Sequence, residues 1–297
     1  MRWADLDQLG HVNNVVYVDY LQEARVDMLR AHGRGPGALA EGLVVVRHEV
    51  TYLKPLTYDF RPVSIECWVT EIRAATFTMA YEIFHDVPSD RPAEGGPHDE
   101  PGDRVVYVRA TTVLTPFVFA EERPRRITAE EREALQGHLE PDQQPRRRTP
   151  RLPDEVTSHY PVHVRFSDVD VYGHVNNVKY FEYLQEARVS MIRELVPERG
   201  FSVVVAQTDV DYLQPLLFRA EPYDCRTSIT RVGTRSMTVE SEIRDPSGAG
   251  GSPAGGAGTV LARARVVVVF FDLAGGRSTE PDPEVRDVLV AAAATTD

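Results

Sequence analysis

Apolar and polar positions along this chain follow two distinct periods, one typical of helices and the other of strands. From Asn14 to about Arg30 the apolar side chains recur at three- and four-residue spacing, and no Pro or Gly interrupts them. The members of this stripe are Tyr17, Tyr20, Leu21, Ala24 and Met28. The pattern predicts one amphipathic helix that buries its apolar face.

Segments with period-two character follow the helix and predict strands. They read LVVVRHEVTYL, VSIECWVTEI, FTMAYEIF and the closing run RVVYVRATTVLTPF. Consecutive strands joined by short turns favour an antiparallel sheet, against which the helix must pack. The sequence therefore predicts an α+β fold, with one short strand before the helix and several strands after it.

The same order of elements occurs twice, because the chain contains an internal repeat. Residues 2–30 placed over 165–193 are identical at 19 of 29 positions, which is far above chance. The second copy repeats the apolar stripe at Tyr180, Tyr183, Leu184, Ala187 and Met191, and its strand segments read FSVVVAQTDVDYL, YDCRTSIT, SMTVESEI and ARARVVVVFF. Gly/Pro-rich inserts at 88–103 and 246–258 predict a flexible loop at the same place in each copy.

A linker separates the two copies. Thr128 and Glu131 have the spacing of a capping box and predict a short helix, which a Pro-rich segment follows. We place the boundary near residue 150, so that the predicted domains are 1–150, with the linker helix, and 151–297. The first copy begins RWADLD, whereas HYPVHVRFSDVD precedes the loop of the second. We therefore expect the first strand of the first domain to be cut to two or three residues.

Composition and charge exclude several classes of function. The chain has 297 residues, 42% of them hydrophobic, and its longest apolar run, VVVVFF, is far shorter than the roughly 18 to 20 residues that cross a bilayer. We expect no membrane partner and, with no signal-peptide segment, a cytoplasmic location. The net charge of −12 argues against a nucleic-acid partner. Cys67 and Cys225 lie in strand segments without a CxxC motif, which supports neither a disulfide framework nor a zinc site.

The repeat is most regular in the loop before the helix, which reads DLDQLGHVNN at 5–14 and DVDVYGHVNN at 168–177. An asparagine at the helix start is a natural N-cap. The first-turn amides and the helix dipole form a site for developing negative charge, where a carbonyl would be polarised. The turn can fold Asp7 and Asp170 back toward this helix end, where a carboxylate can act as a base or a nucleophile.

Each loop residue also has a structural interpretation. Turn or cap roles are the simpler interpretation of Asp5 and Asp168, and spacing alone favours the same roles for Asp7 and Asp170. The loop glycines serve the backbone, and the loop histidines more simply fix loop geometry than act as bases. No metal is expected, because one His per unit supplies too few ligands. Helix-face charges are interpreted as ion pairs or solvated groups, namely Glu23, Arg25, Glu186 and Arg188. The first interpretation of the tyrosine and methionine stripes is that these side chains belong to the hydrophobic core. A role in lining a ligand pocket is the second interpretation.

The string RWxDxDxxGHVNNxxYxxYLQEAR, followed by VxYLxPL, resembles the hotdog-fold acyl-CoA thioesterases related to 4-hydroxybenzoyl-CoA thioesterase. The resemblance covers most of both units and implies a tandem double hotdog, in which each curved antiparallel sheet is wrapped around one long central helix. In this family active sites form at the interface of two such units, so the chain would be an intramolecular pseudo-dimer. No GxSxG, P-loop or GxGxxG motif points to another enzyme class.

The resemblance implies hydrolysis of an acyl thioester to free acid and coenzyme A. The catalytic carboxylates would be Asp7 and Asp170, and the backbone amides of Asn14 and Asn177 would polarise the carbonyl. Candidate substrate contacts are the neighbouring residues Gly10, His11, Asn13, Tyr17, Gly173, His174, Asn176 and Tyr180. The partner would be a small-molecule acyl-CoA or an acyl-carrier-protein substrate. No cofactor is expected, because coenzyme A is part of the substrate.

Two alternative functions stay open at this point. One is a non-catalytic hotdog protein that binds acyl-CoA. The other is a hotdog hydratase or dehydratase, with His11 and His174 as general bases. Further pairing into a homodimer is compatible with such a sheet. Because the first strand of the first unit is short, Asp170 is a stronger candidate than Asp7.

Overall fold

The computed structural model describes residues 1–30, 39, 42–58, 60–86, 104–142, 147, 149–153, 155–197, 201–247 and 258–293. The chain divides into two compact units, Met1–Pro145 and Arg146–Asp297. Both Gly/Pro-rich inserts fall largely outside the described residues. Within the described ranges, no helix is long and apolar enough to cross a membrane.

The first unit contains one long helix and a four-stranded antiparallel sheet. Its elements are α1 (Val16–Arg30), β1 (Leu43–Tyr52), β2 (Ser64–Ile72), β3 (Phe77–Asp86), β4 (Arg104–Val118), β5 (Arg123–Pro124) and α2 (Ala129–Gln136). The strand order is β2-β3-β4-β1, and β5 pairs with the end of β4.

The second unit repeats this arrangement and adds a strand at one edge. Its elements are β6 (Ser158–Val162), α3 (Lys179–Leu195), β7 (Val203–Tyr212), β8 (Tyr223–Val232), β9 (Ser236–Asp245), β10 (Thr259–Asp272), β11 (Arg277–Ser278) and α4 (Pro283–Ala291). The antiparallel order is β7-β10-β9-β8-β6, and β11 pairs with the end of β10.

In each unit the long helix packs against the sheet through the face that the sequence predicts. Helix α1 contacts β2, and α3 contacts β8 and β6. Leu21 and Leu184 of the predicted stripe are buried. Bulges interrupt the ladders at equivalent places, for example at Val69/Glu71 in β2 and Ile229/Arg231 in β8. Bulges bend and twist a strand, so they curve both sheets alike. The predicted α+β class is confirmed.

A short closing helix ends the described part of each unit. Thr128 and Glu131 form the predicted capping box of α2, with hydrogen bonds of 3.2 and 2.8 Å. Helix α4 is capped by Asp282 and lies in the core of the second unit through Val285 and Leu289. From its sequence α2 is predicted as a linker helix, whereas α4 has no predicted counterpart. The structure gives both helices the same place in the repeat.

The two units differ at the sheet edge beside the long helix. In the second unit β6 pairs with β8 along its first half. In the first unit the described residues before α1 form no strand. The outer edge of β2 is instead hydrogen-bonded at Val69, whose backbone N–H and carbonyl pair with the His138 carbonyl and the Glu140 N–H.

Candidate active site

Each acidic loop is a narrow hairpin that leads directly into the long helix. Leu6 pairs with Val12 in antiparallel fashion, and Val169 pairs with Val175 in the same way. The Asp7 N–H donates to the His11 carbonyl at 2.8 Å, and the equivalent bond in the second unit is also 2.8 Å. Side chains two apart on a strand share a face, and directly opposed residues share it too. This register places Asp7 opposite His11, and Asp170 opposite His174, so the two side chains of each pair lie on one face of their hairpin.

A glycine in the left-handed region closes each hairpin. Gly10 has φ of 76° and Gly173 has φ of 83°. A Cβ at either position would meet no atom within 4 Å. The requirement for glycine is thus conformational, because a side chain in this region costs roughly 1 to 2 kcal/mol.

The first aspartate of each loop is a buried structural group, in agreement with its structural interpretation. Asp168 is buried, and it accepts hydrogen bonds from the Arg165 N–H at 2.9 Å and the Tyr183 hydroxyl at 2.6 Å. Asp5 accepts from Arg2 and Tyr20 in the same pattern. Burial, the largest influence, would raise the pKa of both carboxyls, but the donors together outweigh it and hold each pKa below its ordinary value.

The second aspartate is held by one oxygen alone. Asp7 Oδ1 accepts from the Leu9 N–H at 2.8 Å, and Asp170 Oδ1 accepts from the Tyr172 N–H at 2.9 Å. Among the residues that the structure describes, no hydrogen bond reaches Oδ2 of either carboxylate. Both side chains are half-buried. Each loop thus fixes the direction of its carboxylate and leaves one oxygen available to a reactant.

The first asparagine of each pair closes a side-chain turn just before the helix begins. Asn13 Oδ1 accepts from the Val15 N–H at 3.2 Å, and Asn176 Oδ1 accepts from the Val178 N–H at 3.1 Å. This turn precedes the regular helix, so α1 begins at Val16 and not at Asn14 as the apolar pattern predicts. Each asparagine side chain thus accepts from the backbone two residues on and fixes the path of the chain into the helix.

The second asparagine is fixed through its backbone. The Tyr52 hydroxyl donates to the Asn14 carbonyl at 2.9 Å, and the Tyr212 hydroxyl donates to the Asn177 carbonyl at 2.9 Å. In the part of the chain that the structure describes, the Asn14 N–H donates to no protein oxygen. Sequence reasoning missed these two tyrosines, although both lie in the repeated VxYLxPL segment.

The other candidate contacts lie beside this centre. His11 and His174 are half-buried and pair with Thr57 and Leu217 of the adjoining segment. Tyr17 and Tyr180 lie in the core, where burial raises the pKa of both hydroxyls. The Tyr180 hydroxyl accepts from the Leu216 N–H at 2.9 Å, and the Leu56 amide has the same role for Tyr17. These tyrosines thus hold the adjoining segment against the helix start.

The interpretation of the helix arginines as ion-paired or solvated charges is wrong for Arg25. Its side chain is buried, and its Nη1 has no hydrogen-bond partner in the described chain. Arg188 is also buried, whereas Glu23 and Glu186 are exposed. Burial raises the pKa of Tyr81, and the nearby Arg25 guanidinium opposes this rise. The four-residue step from Leu21 to Arg25 points to the buried face, but an arginine there does not register as apolar.

No metal ligand set lies near the loops. Among the described residues, no group of three or more His, Cys, Asp or Glu side chains could hold a metal ion. Cys67 and Cys225 are both free thiols.

Comparison with known proteins places the chain in a family. A model of the thioesterase-like superfamily matches residues 1–158 and 164–289. The uncharacterized protein YsmA of Bacillus subtilis (strain 168) is 34% identical over 84 residues, which span 26% of this chain and 54% of that protein. The chain therefore matches about half the length of this curated relative.

Solved structures with the same fold cover nearly the whole chain. The 12:0-ACP thioesterase from Umbellularia californica has a TM-score of 0.69 at 17% identity, over 91% of this chain and 92% of that one. A putative oleoyl thioesterase from Lactobacillus plantarum has a TM-score of 0.64 at 17% identity, over 92% of this chain and 94% of that one. At this identity the likeness shows the fold, and the predicted tandem hotdog fold is confirmed. The family match spans both repeats, and the chain belongs to the thioesterase-like superfamily.

Proposed function

We propose that this protein is an acyl thioester hydrolase that releases a free acid and a thiol from an acyl-CoA substrate. The observation that carries the proposal is the pair of equivalent carboxylates, Asp7 and Asp170, each held through one oxygen, with no hydrogen bond at the other among the residues that the structure describes. Each lies on a hairpin that leads, through an asparagine side-chain turn, into the start of a long helix. A carboxylate beside helix-start amides supplies the two parts that thioester hydrolysis needs, a base or nucleophile and an oxyanion site.

In the proposed mechanism the acyl carbonyl lies at the start of the long helix. The Asn14 N–H, or the Asn177 N–H in the second unit, donates to the carbonyl oxygen and stabilises the negative charge that develops there. The free oxygen of Asp7 or Asp170 either removes a proton from water or attacks the carbonyl carbon directly. In the first route the deprotonated water attacks the carbonyl carbon, and collapse of the tetrahedral intermediate breaks the carbon–sulfur bond to give the free acid and the thiol, which takes up the proton. In the second route the collapse releases the thiol and leaves a mixed anhydride on the aspartate, which water then hydrolyses to the free acid and the original carboxylate. Tyr52 and Tyr212 act as positioning residues, because each holds the carbonyl of the asparagine whose N–H is used.

Thiol release from a panel of acyl-CoA substrates tests the activity. Replacing both carboxylates, by Asp7→Asn with Asp170→Asn, should lower kcat by about 10²- to 10⁴-fold, the range for loss of a general base. Asp27→Asn is the matched control, since Asp27 is an exposed aspartate on α1. The single variants measure how the rate is divided between the two units.

Other outcomes would favour the alternative functions. Unchanged turnover in the double variant would contradict the carboxylate mechanism. Tight binding of acyl-CoA by the wild-type protein without thiol release would point to a binding protein. Hydration of an enoyl thioester with the thioester bond intact would point to a hydratase that uses His11 and His174.

A further inference from the structure

A pair of aromatic rings lies in each unit at the equivalent place, with its first ring exposed. Trp3 and Tyr58 have ring centroids 6.0 Å apart and planes at 88°, and Phe166 and Phe218 have centroids 6.1 Å apart and planes at 82°. Trp3 is 74% exposed and Phe166 is 83% exposed. The residues differ between the units, but the geometry is retained. Exposed apolar residues are common singly, but an exposed aromatic ring packed against a second ring at the same place in both units offers a flat apolar surface for a ligand.

Both pairs are next to the candidate catalytic loops. Trp3 and Phe166 begin the short turns that end at the buried aspartates. Tyr58 directly follows Thr57, which pairs with His11, and Phe218 directly follows Leu217, which pairs with His174. The two segments that carry the rings thus meet at the acidic hairpin in each unit.

An arginine directly precedes the first ring of each pair. Arg2 is fixed by Asp5 through contacts of 2.9 and 3.0 Å, and Arg165 is fixed by Asp168 in the same way. Both side chains still lie largely in solvent, at 74% and 60% exposure. Their Nε and Nη2 groups make these contacts, and Arg165 Nη2 also donates to Glu182 at 2.7 Å. Nη1 of each arginine makes no contact with the residues that the structure describes. Each guanidinium is therefore held rigidly with free donors on its outer side.

We propose that each arginine and its aromatic pair form a platform for the nucleotide end of coenzyme A. The base stacks on the exposed ring, and a phosphate group accepts hydrogen bonds from the guanidinium. This inference rests on the proposed function and assigns the residues that hold the nucleotide end of its acyl-CoA substrate. One cation and one flat apolar surface suit a small ligand that is both flat and anionic. One platform beside each loop also fits one substrate per unit.

A comparison of two thioesters of the same acid tests the platform. Acyl-CoA carries the nucleotide, whereas acyl-pantetheine ends before it. Replacing the first rings, by Trp3→Ala with Phe166→Ala, should lower the ratio of kcat/KM for acyl-CoA to that for acyl-pantetheine about tenfold, within the range for loss of one stacked base. Trp3→Tyr with Phe166→Tyr should restore the ratio, because a flat ring is kept. Val290→Ala, at an exposed apolar residue of α4, is the control.

Three results would overturn the platform. The first is an unchanged ratio in the double alanine variant. The second is a loss confined to acyl-carrier-protein substrates, which would make the rings a protein-docking surface. The third is a change in sedimentation of the variant with no change in the ratio, which would make them a contact between copies of the chain.

A binding measurement separates failure of the platform from failure of the proposed activity. The chain has two tryptophans, and Trp68→Phe leaves Trp3 as the single fluorescent indole. Adenosine 3′,5′-bisphosphate should quench Trp3 saturably, pantetheine should not, and Arg2→Gln should weaken the quenching severalfold. Quenching without any thioesterase activity would retain the platform and reject the hydrolase. Hydrolysis of acyl-CoA without quenching would retain the hydrolase and reject the platform.

Discussion

Replacing Tyr183 by Phe should destabilise the second unit by removing one hydrogen bond to a buried carboxylate. The Tyr183 hydroxyl lies 2.6 Å from Asp168 Oδ2, and the Asp168 side chain is almost fully buried. The substitution deletes a single oxygen and leaves the ring in place. Because the acceptor is charged and water cannot replace the donor, we expect a loss of about 1.5 to 3 kcal/mol. The melting temperature should fall by about 2 to 4 °C for each kcal/mol lost.

The same substitution should change the response to acid. In the folded protein the pKa of Asp168 lies below its ordinary value of 3.8, because the Arg165 and Tyr183 donors together outweigh burial. A carboxyl with a lowered folded pKa contributes stability that is complete above its unfolded pKa and is lost as the pH falls through the folded value. Loss of the Tyr183 donor raises that folded pKa. The acid-unfolding midpoint should therefore move to higher pH.

Thermal unfolding of wild type, Tyr183→Phe, Asp168→Asn and the double variant measures the coupling between the two side chains. Tyr160→Phe in β6 is the control, because this half-buried tyrosine shows no hydroxyl hydrogen bond within the described residues. A Tyr183→Phe effect no larger than that of Tyr160→Phe would refute the assignment of Asp168 as a stabilising buried anion.

Three further effects follow from the structure. Gly173→Ala should lower stability by roughly 1 to 2 kcal/mol through its positive φ, and Gly173→Asn by less, as thermal unfolding would show. Tyr212→Phe releases the Asn177 carbonyl and should lower kcat severalfold with little change in KM, a split that steady-state kinetics would measure. Burial raises the pKa of the Cys225 thiol to about 12, so a thiol reagent at pH 8 should label a Cys67→Ser variant only after denaturation.

Much of the fold can be predicted from local sequence. The apolar stripe of each long helix, the period-two strands and the Thr128 capping box all follow from spacing along one segment. Helix α4 escaped prediction because its burial depends on contacts with Met191 and the sheet, which lie far from it in sequence.

The position of the candidate site could be predicted from the sequence, but the separate roles of its two aspartates could not. The two loops were evident from the repeat, yet Asp5 and Asp7 are chemically identical and two residues apart. The two aspartates differ because the hydroxyl of Tyr20, which lies in α1, donates a hydrogen bond to the Asp5 carboxylate. The equivalent Tyr183 does the same for Asp168.

The sequence by itself determined the duplication, the order of helix and strands, and the position of the acidic loop before a helix start. These properties depend on neighbours along the chain, where periodicity and capping act. The tertiary structure decided which aspartate is buried and which asparagine carbonyl accepts from the tyrosines of the VxYLxPL segment. It also decided that the Arg25 side chain is buried. Such outcomes depend on residues far apart in sequence, because a hydrogen bond or a buried charge is settled only when the packed side chains meet.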